Sequence, residues 1–414
     1  MNNKFLLTTA FIATSFLGNA QNNNTTYAIT GDGNNDFIWM NIRQLDLTTG
    51  QVTKTLFERS KSNFTITDVT TKVVTNNEAV TDQNIFSSTA YPTGTFVAAA
   101  AFDKRTNKLF FTPMRKGELR WLDLNSNESN PKFYSMAINN YKNTEVNDDA
   151  TDITRMVIAA DGNGYAISND GNHFFSFTTG KKPVITELGN IIDAEANSGN
   201  SIHNKCSSWG GDMIADAFGK LYVISANHNV YVIDINTRIA TFKGVIQGLP
   251  VGYTTNAAAV NDEGEIVIAS ANVFGGYYKM NFADLKAVKI EGSDEKYNAS
   301  DFANANLLFQ KEANSLSNSS IVPFAATPVD ARIFPNPVTN SSFNVVLETK
   351  NEGRYSIVVA DLSGRTISTK YINVTKGSQT IKVDLNSRLS KGIYLVKVLD
   401  GNKATIINEK IVLQ

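Results

Sequence analysis

The chain has 414 residues, enough for two folded units, and its 38 Lys and Arg against 39 Asp and Glu leave a net charge of -1. That balance supplies no basic field for nucleic acid or an anionic membrane. A single cysteine, Cys206, excludes an intramolecular disulfide and a multi-thiolate zinc site. Hydrophobic residues at 42% with charged residues at only 19% describe a globular chain surfaced by Asn, Thr, Ser and Gly, which suits an all-β fold.

Residues 1–20 have the three parts of a secretory signal: Lys4 in a positive n-region, an apolar stretch from Phe5 to Leu17, and the small-x-small site Gly18-Asn19-Ala20. Cleavage is expected between Ala20 and Gln21. The apolar stretch is too short to span a bilayer and no later segment approaches the required ~20 residues, so no transmembrane segment is expected. Gln21, not Cys, follows the cut, which argues against a lipoprotein anchor.

From residue 27 to 311 the dominant signal is internal repetition. Phe102 to Phe111, Ala160 to Ser168, Asp216 to Ser225 and Asn261 to Ser270 each read as a strand or turn built on Asp with Gly or Asn, then a second strand. Each leads to a third: Leu119–Leu124, His173–Phe177, Val230–Ile235 and Tyr277–Met280. The anchoring Asp103, Asp161, Asp216 and Asp262 recur near the period of about 40–50 residues of propeller blades. In Val230–Ile235 both alternating sets are apolar, as in a strand covered on both faces.

A fifth unit begins at Tyr27 to Phe57 but lacks its inner strand. Asp301 to Phe309, at the other end of the repeats, is the expected partner, closing the ring by joining chain ends in one sheet. The expected fold is therefore all-β: a β-propeller-like repeat domain of five or six blades, the sixth hidden at Thr65–Thr75 or around Ile85, followed by a small C-terminal Ig-like β-sandwich. A series of sandwiches is the alternative.

His173, His203 and His228 fall at no metal-ligand spacing, and no nucleophile elbow or Walker-type loop is present, so neither a metal nor a cofactor is expected. Asp32-Gly33-Asn34-Asn35-Asp36 lacks the Glu of a calcium loop, Arg43 standing at its twelfth position, and reads as a turn. The densest unusual cluster is His203 to Asp212, in which Trp209 and Asp212 suit a sugar platform with a hydrogen-bonding carboxylate at a channel mouth. Asp152 and Arg155 occupy the corresponding place one unit earlier and Asn256 one unit later. The bland alternative is that Trp209 packs between blades, Asp212 caps a turn, and Asp152 and Arg155 are a structural ion pair. His173 could act as a rim base, though a lone histidine is more often a satisfied polar group.

A small-residue stretch at Ala325 to Pro328 follows the polar run Asn314 to Ser320, which places a linker at 312–327. Beyond it, alternating segments Phe343–Leu347, Tyr355–Val359, Thr380–Val383 and Ile393–Val398 are separated by Gly-containing turns, giving a sandwich over 328–414. Pro335-Asn336-Pro337, Gly353-x-Tyr355, Asp361-Leu362-Ser363-Gly364-Arg365, Gly392-x-Tyr394 and the terminal Lys410-Ile411-Val412 follow in order. In these motifs the segment resembles the type A sorting domain of type IX secretion along its whole length. The resemblance implies recognition by the outer-membrane translocon, removal of the domain, and release or attachment at the surface of a Bacteroidetes-type cell, with Gln21 cyclised to pyroglutamate. Three functions remain for the propeller: binding a glycan, peptide or surface component; polysaccharide lyase or hydrolase chemistry; or a structural surface-layer role.

Overall fold

The computed structural model describes residues 25–33, 36–76, 91–139, 141, 149–292, 297–318, 331–349, 352–361, 366–386, 389–401 and 405–413. Ala20 and Gln21 of the cleavage site, the stretch around Ile85, and Gly364 and Arg365 lie outside them.

Alternation and short turns produce strands throughout. β1 (Thr25–Thr30), β2 (Asn41–Asp46) and β3 (Val52–Phe57) form an antiparallel meander, and β4 (Thr65–Asp68) and β5 (Val74–Asn76) follow. The second meander is β6 (Val97–Asp103), β7 (Lys108–Pro113), β8 (Glu118–Asp123) and β9 (Lys132–Ala137). The third is β10 (Ile153–Ile158), β11 (Gly164–Ser168), β12 (Phe174–Phe177) and β13 (Ile185–Gly189). After β14 (Ile192–Asp193) and the short helix α1 (Lys205–Ser208) comes the fourth: β15 (Asp212–Ala215), β16 (Lys220–Ile224), β17 (Asn229–Asp234) and β18 (Ile239–Val245). The fifth is β19 (Ala257–Val260), β20 (Ile266–Ala269), β21 (Tyr278–Asn281) and β22 (Lys286–Lys289).

β23 (Ala299–Ala303) supplies the missing inner strand of the first sheet. It pairs antiparallel with β1, Tyr27 opposite Ala303 and Ile29 opposite Asp301. The first strands of the five sheets neighbour one another in cyclic order, β6 to β10, β10 to β15, β15 to β19, β19 to β23 and β23 back to β6. Inner strands are mostly buried, wholly so in Ala257–Val260, whereas outer strands such as Ile185–Gly189 are half-buried to exposed.

Five apolar layers fill the gaps between successive sheets. Phe57, Phe102, Phe111 and Phe133 pack the first gap, Phe110, Trp121, Phe175 and Phe177 the second, and Ile167, Phe174, Val223 and Tyr231 the third. Tyr222, Ile224, Ile266 and Ile268 pack the fourth. The fifth, between the last sheet and the first, is built from Ala28, Leu45, Ala257, Val267, Ala269 and Phe302. Each large side chain so buried contributes about 1.5–3 kcal/mol, and a filled fifth gap makes the ring continuous. The arrangement is all-β and propeller-like.

Thr65–Thr75 does not form a separate sheet. β4 pairs parallel with β9, and β5 antiparallel with β4, extending the outer edge of the second sheet. β14 extends the fourth in the same way, parallel to β18. Residues 310–318, partly within the stretch read as linker, form helix α2 (Gln310–Asn318).

The C-terminal segment adds β24 (Ala331–Phe334), β25 (Ser342–Thr349), β26 (Gly353–Ala360), β27 (Thr366–Val374), β28 (Gly377–Asp384), β29 (Gly392–Leu399) and β30 (Thr405–Leu413). Sheets ordered β24-β25-β28 and β27-β26-β29-β30 enclose a core that includes Phe343, Val345, Ile357, Val359, Val396, Val398 and Ile411.

Candidate functional site

The two ends of the ring differ. At the end where inner strands finish, the chain leaving β23 crosses the mouth. Asn304 Nδ2 donates to Thr26 Oγ1 and the Val260 carbonyl, Asn306 Nδ2 to Val260 and Asp262, and Leu308 exchanges backbone bonds with Ala215 and Ala217. Between the inner strands, Ala100, Met156, Met213, Ala258, Phe302 and Asn306 are among the residues that leave a cavity of about 10 Å³, room for one water at most. A groove of about 610 Å³ beside this end runs between Asn261–Glu265 and Ala305–Glu312. Polar groups in and beside it bond to one another: Asn261 and Lys279 donate to Glu265, and Asn306 donates to Asp262.

At the opposite end, where inner strands begin, the 190–211 connection carries the cluster singled out in sequence. Asn204 caps α1 by accepting from the amides of Cys206 and Ser207. His203 faces the Asp170 carbonyl at 2.6 Å and the Ile191 carbonyl at 3.1 Å, pinning the connection to the β11–β12 turn. Trp209 is half-buried; its indole N–H donates to the His203 carbonyl at 3.2 Å, and the Lys205 ammonium lies 4.9 Å from its ring centre. Gly211 then turns the chain into β15 at φ +90°, where a Cβ would lie 1.9 Å from the Ile224 carbonyl oxygen, so a side chain is excluded.

Asp152 and Arg155 do not pair. Asp152 Oδ1 accepts from the Arg115 amide at 2.7 Å, whereas Arg155, fully buried, donates to the carbonyls of Ser168, Ser208 and Gly210. Burial lowers the Arg155 pKa to about 10, so the guanidinium stays charged at neutral pH while tying the third sheet to the chain entering the fourth.

Asp212 is also buried and faces the ring interior. Its oxygens accept from the amides of Met213 at 2.6 Å, Ala258 at 2.6 Å and Phe302 at 3.2 Å, so one carboxyl joins the fourth, fifth and first sheets. Burial pushes its pKa up to about 7. Beside it stands Asp301, equally buried, whose oxygens reach no partner at good hydrogen-bond geometry; the groups it faces are the Asp212 carboxyl and the Ala100 amide. Burial first, and the Asp212 charge second, hold its pKa well above the carboxylate range. Asp301 was read from sequence only as part of a strand. A carboxyl inside a closing strand was the available signal.

His173 and Asn256 lie half-buried at the same end. His173 Nδ1 is 2.7 Å from Glu187 Oε1, and its ring meets Tyr141 edge-on. Asn256 Oδ1 accepts from the Ala271 amide at 3.1 Å. Sequence reading missed Lys116, on the β7–β8 turn, whose pKa burial and then the neighbouring Arg120 lower to about 8. Among the described residues no group of three or more His, Cys, Asp or Glu side chains is placed to hold a metal ion, and no helix is long and apolar enough to cross a membrane.

In the tail, Gly353 and Gly392 open β26 and β29, Tyr355 is buried in the core, and Tyr394 donates from its hydroxyl to the Ser390 carbonyl at 2.7 Å. Asp361 follows β26 directly. Pro335, Asn336 and Pro337 form an exposed loop. Asn336 Nδ2 donates to the Lys410 carbonyl at 2.7 Å, and its Oδ1 accepts from the Val412 amide at 2.9 Å.

No curated protein matches the chain. Among solved structures it is similar to PorZ, an essential bacterial surface component of the type-IX secretion system of Porphyromonas gingivalis, at 14% identity over 94% of this chain and 51% of that one, with TM-score 0.33. The chain thus spans about half the length of PorZ. It is also similar to virginiamycin B lyase from Staphylococcus aureus (11% identity, 78% of this chain and 85% of that one, TM-score 0.30). A third similar structure is the periplasmic gluconolactonase PpgL of Pseudomonas aeruginosa (10% identity, 94% and 96%, TM-score 0.33). Residues 332–414 match the family of secretion system C-terminal sorting domains, and the chain therefore carries a type IX export tail.

Proposed function

We propose that the chain is a binding protein delivered to the surface or medium of a Bacteroidetes-type cell, in which residues 1–20 direct inner-membrane export and an Ig-like tail directs passage through the outer membrane. The five sheets are read as the five blades of one propeller. Its ligand, a glycan, peptide or surface component, meets the end where inner strands begin. One observation carries this: residues 304–308 cross the other mouth, and the cavity between the inner strands is only about 10 Å³. Where inner strands begin, Trp209, His173 and Asn256 are partly accessible and are the proposed contacts. Asp152, Arg155 and Asp212 are reassigned to the scaffold, because each is buried and bonded internally.

One observation favours chemistry as a second reading: the His173–Glu187 pair at the rim has the geometry of an oriented base. The chain from Gln21 to Gln414, incubated with polysaccharide and peptide arrays, separates the two. Retention without new reducing or unsaturated ends supports binding, and product formation that ceases in His173→Ala supports a lyase or hydrolase.

A further inference from the structure

The two motifs at the ends of the sorting tail, Pro335-Asn336-Pro337 and Lys410-Ile411-Val412, are separated by more than seventy residues yet form one hydrogen-bonded unit. Along a strand, the carbonyl of one residue and the amide two residues on point to the same side. β30 pairs with β29 along one edge, and on its other edge the Lys410 carbonyl and Val412 amide meet the Asn336 side chain at 2.7 and 2.9 Å. A carboxamide carries one acceptor and one donor group, the same complement as a peptide unit. Asn336 thus occupies the place of an adjacent strand, and the Val338 amide continues the pairing by donating to the Val412 carbonyl at 2.7 Å. The contact anchors a strand whose Ile411 and Leu413 side chains are buried in the tail core, while Phe334, Pro335 and Pro337 stay exposed beside it.

We propose that Asn336 is the positioning residue of the sorting tail: it seats Lys410–Val412 against the Pro335–Pro337 loop, so that the export machinery meets both ends of the tail as a single surface. This rests on reading residues 332–414 as the sorting domain, and it adds that the signal is composite and complete only once the last strand is in place. Aspartate keeps the acceptor for Val412 but loses the donor for Lys410, alanine loses both, and neither changes the tail core.

The test compares the full chain with Asn336→Ala, Asn336→Asp and a deletion of 332–414. Hydrogen exchange is followed across residues 332–414, together with the exported fraction in a host with type IX secretion. Expected for Asn336→Ala are at least tenfold faster exchange of the Val412 and Val338 amides, retained protection in β26 and β29, and at least a tenfold fall in export, with Asn336→Asp intermediate. Unchanged export despite a loosened terminal strand would overturn the proposal, as would loss of protection throughout the tail in both variants, which marks a purely structural role. Export of the deleted chain would instead overturn the sorting reading, and the proposal with it.

Discussion

The carboxyl groups of Asp212 and Asp301 face each other inside the ring, on inner strands of different sheets, both wholly removed from solvent. Their surroundings are unequal. Three backbone amides stabilise charge on Asp212, whereas Asp301 has no donor at good geometry and a like-charged neighbour. The pair therefore retains a proton at neutral pH, with Asp301 its main holder. An unfolded chain releases that proton above pH ~4, so folding takes it up. Its contribution is fully present below that pH and is lost progressively as pH rises from there through the raised pKa of the pair.

Stability should thus fall between pH 5 and pH 8 by up to about 1.4 kcal/mol per pH unit for each proton retained. Asp301→Asn, which supplies a permanent donor to Asp212, should flatten that slope and leave the protein more stable at pH 8. Denaturant midpoints measured at both pH values check this. A slope unchanged by the substitution would remove the pair from the account.

Arg155 makes a second internal tie. Arg155→Met leaves the Ser208 and Gly210 carbonyls without their donor, while the Ser168 carbonyl keeps the Gly171 amide. A loss of about 1–3 kcal/mol for each carbonyl left unsatisfied is expected, read by thermal unfolding. Arg155→Lys should recover less than half, since one ammonium on a flexible stem does not reproduce the planar fork.

At the turn into β15, Gly211→Ala should cost more than 2 kcal/mol, because positive φ adds about 1 kcal/mol of backbone strain to a direct clash with the Ile224 carbonyl. The same substitution at Gly219, with nothing within 4 Å of an added Cβ, should cost only the strain. Paired unfolding curves distinguish the two positions.

Trp209 is the proposed ligand platform. Trp209→Ala should lower retention on a bound array component at least tenfold while costing about 1 kcal/mol for the lost indole hydrogen bond. Retention unchanged would remove Trp209 from the site.

Much of the architecture was legible because it rests on local pattern. The turn aspartates and the two-faced apolar strand at Val230–Ile235 revealed the repeats, and the absent inner strand of the first unit pointed to the far end of the chain. The strand found there is Ala299–Ala303; residues beyond it cross the channel mouth, which no periodicity records. β4 and β14 were not legible as edge additions, since parallel pairing depends on tertiary neighbours. The proposed mouth residues divided by burial. Asp152, Arg155 and Asp212 have the residue types of a ligand site, but their partners are backbone groups up to 90 positions away. The Asn336–Val412 contact likewise joins motifs that sequence shows only as separate.

The central claim is that the ligand meets the end where inner strands begin. Hydrogen exchange of the chain with and without a retained array component tests it most directly. The account predicts slower exchange confined to Asn169–His173, His203–Gly211, Ala226–His228 and Val251–Asn256. Protection centred instead on Asn261–Glu265 and Ala305–Glu312, at the opposite end, would contradict it.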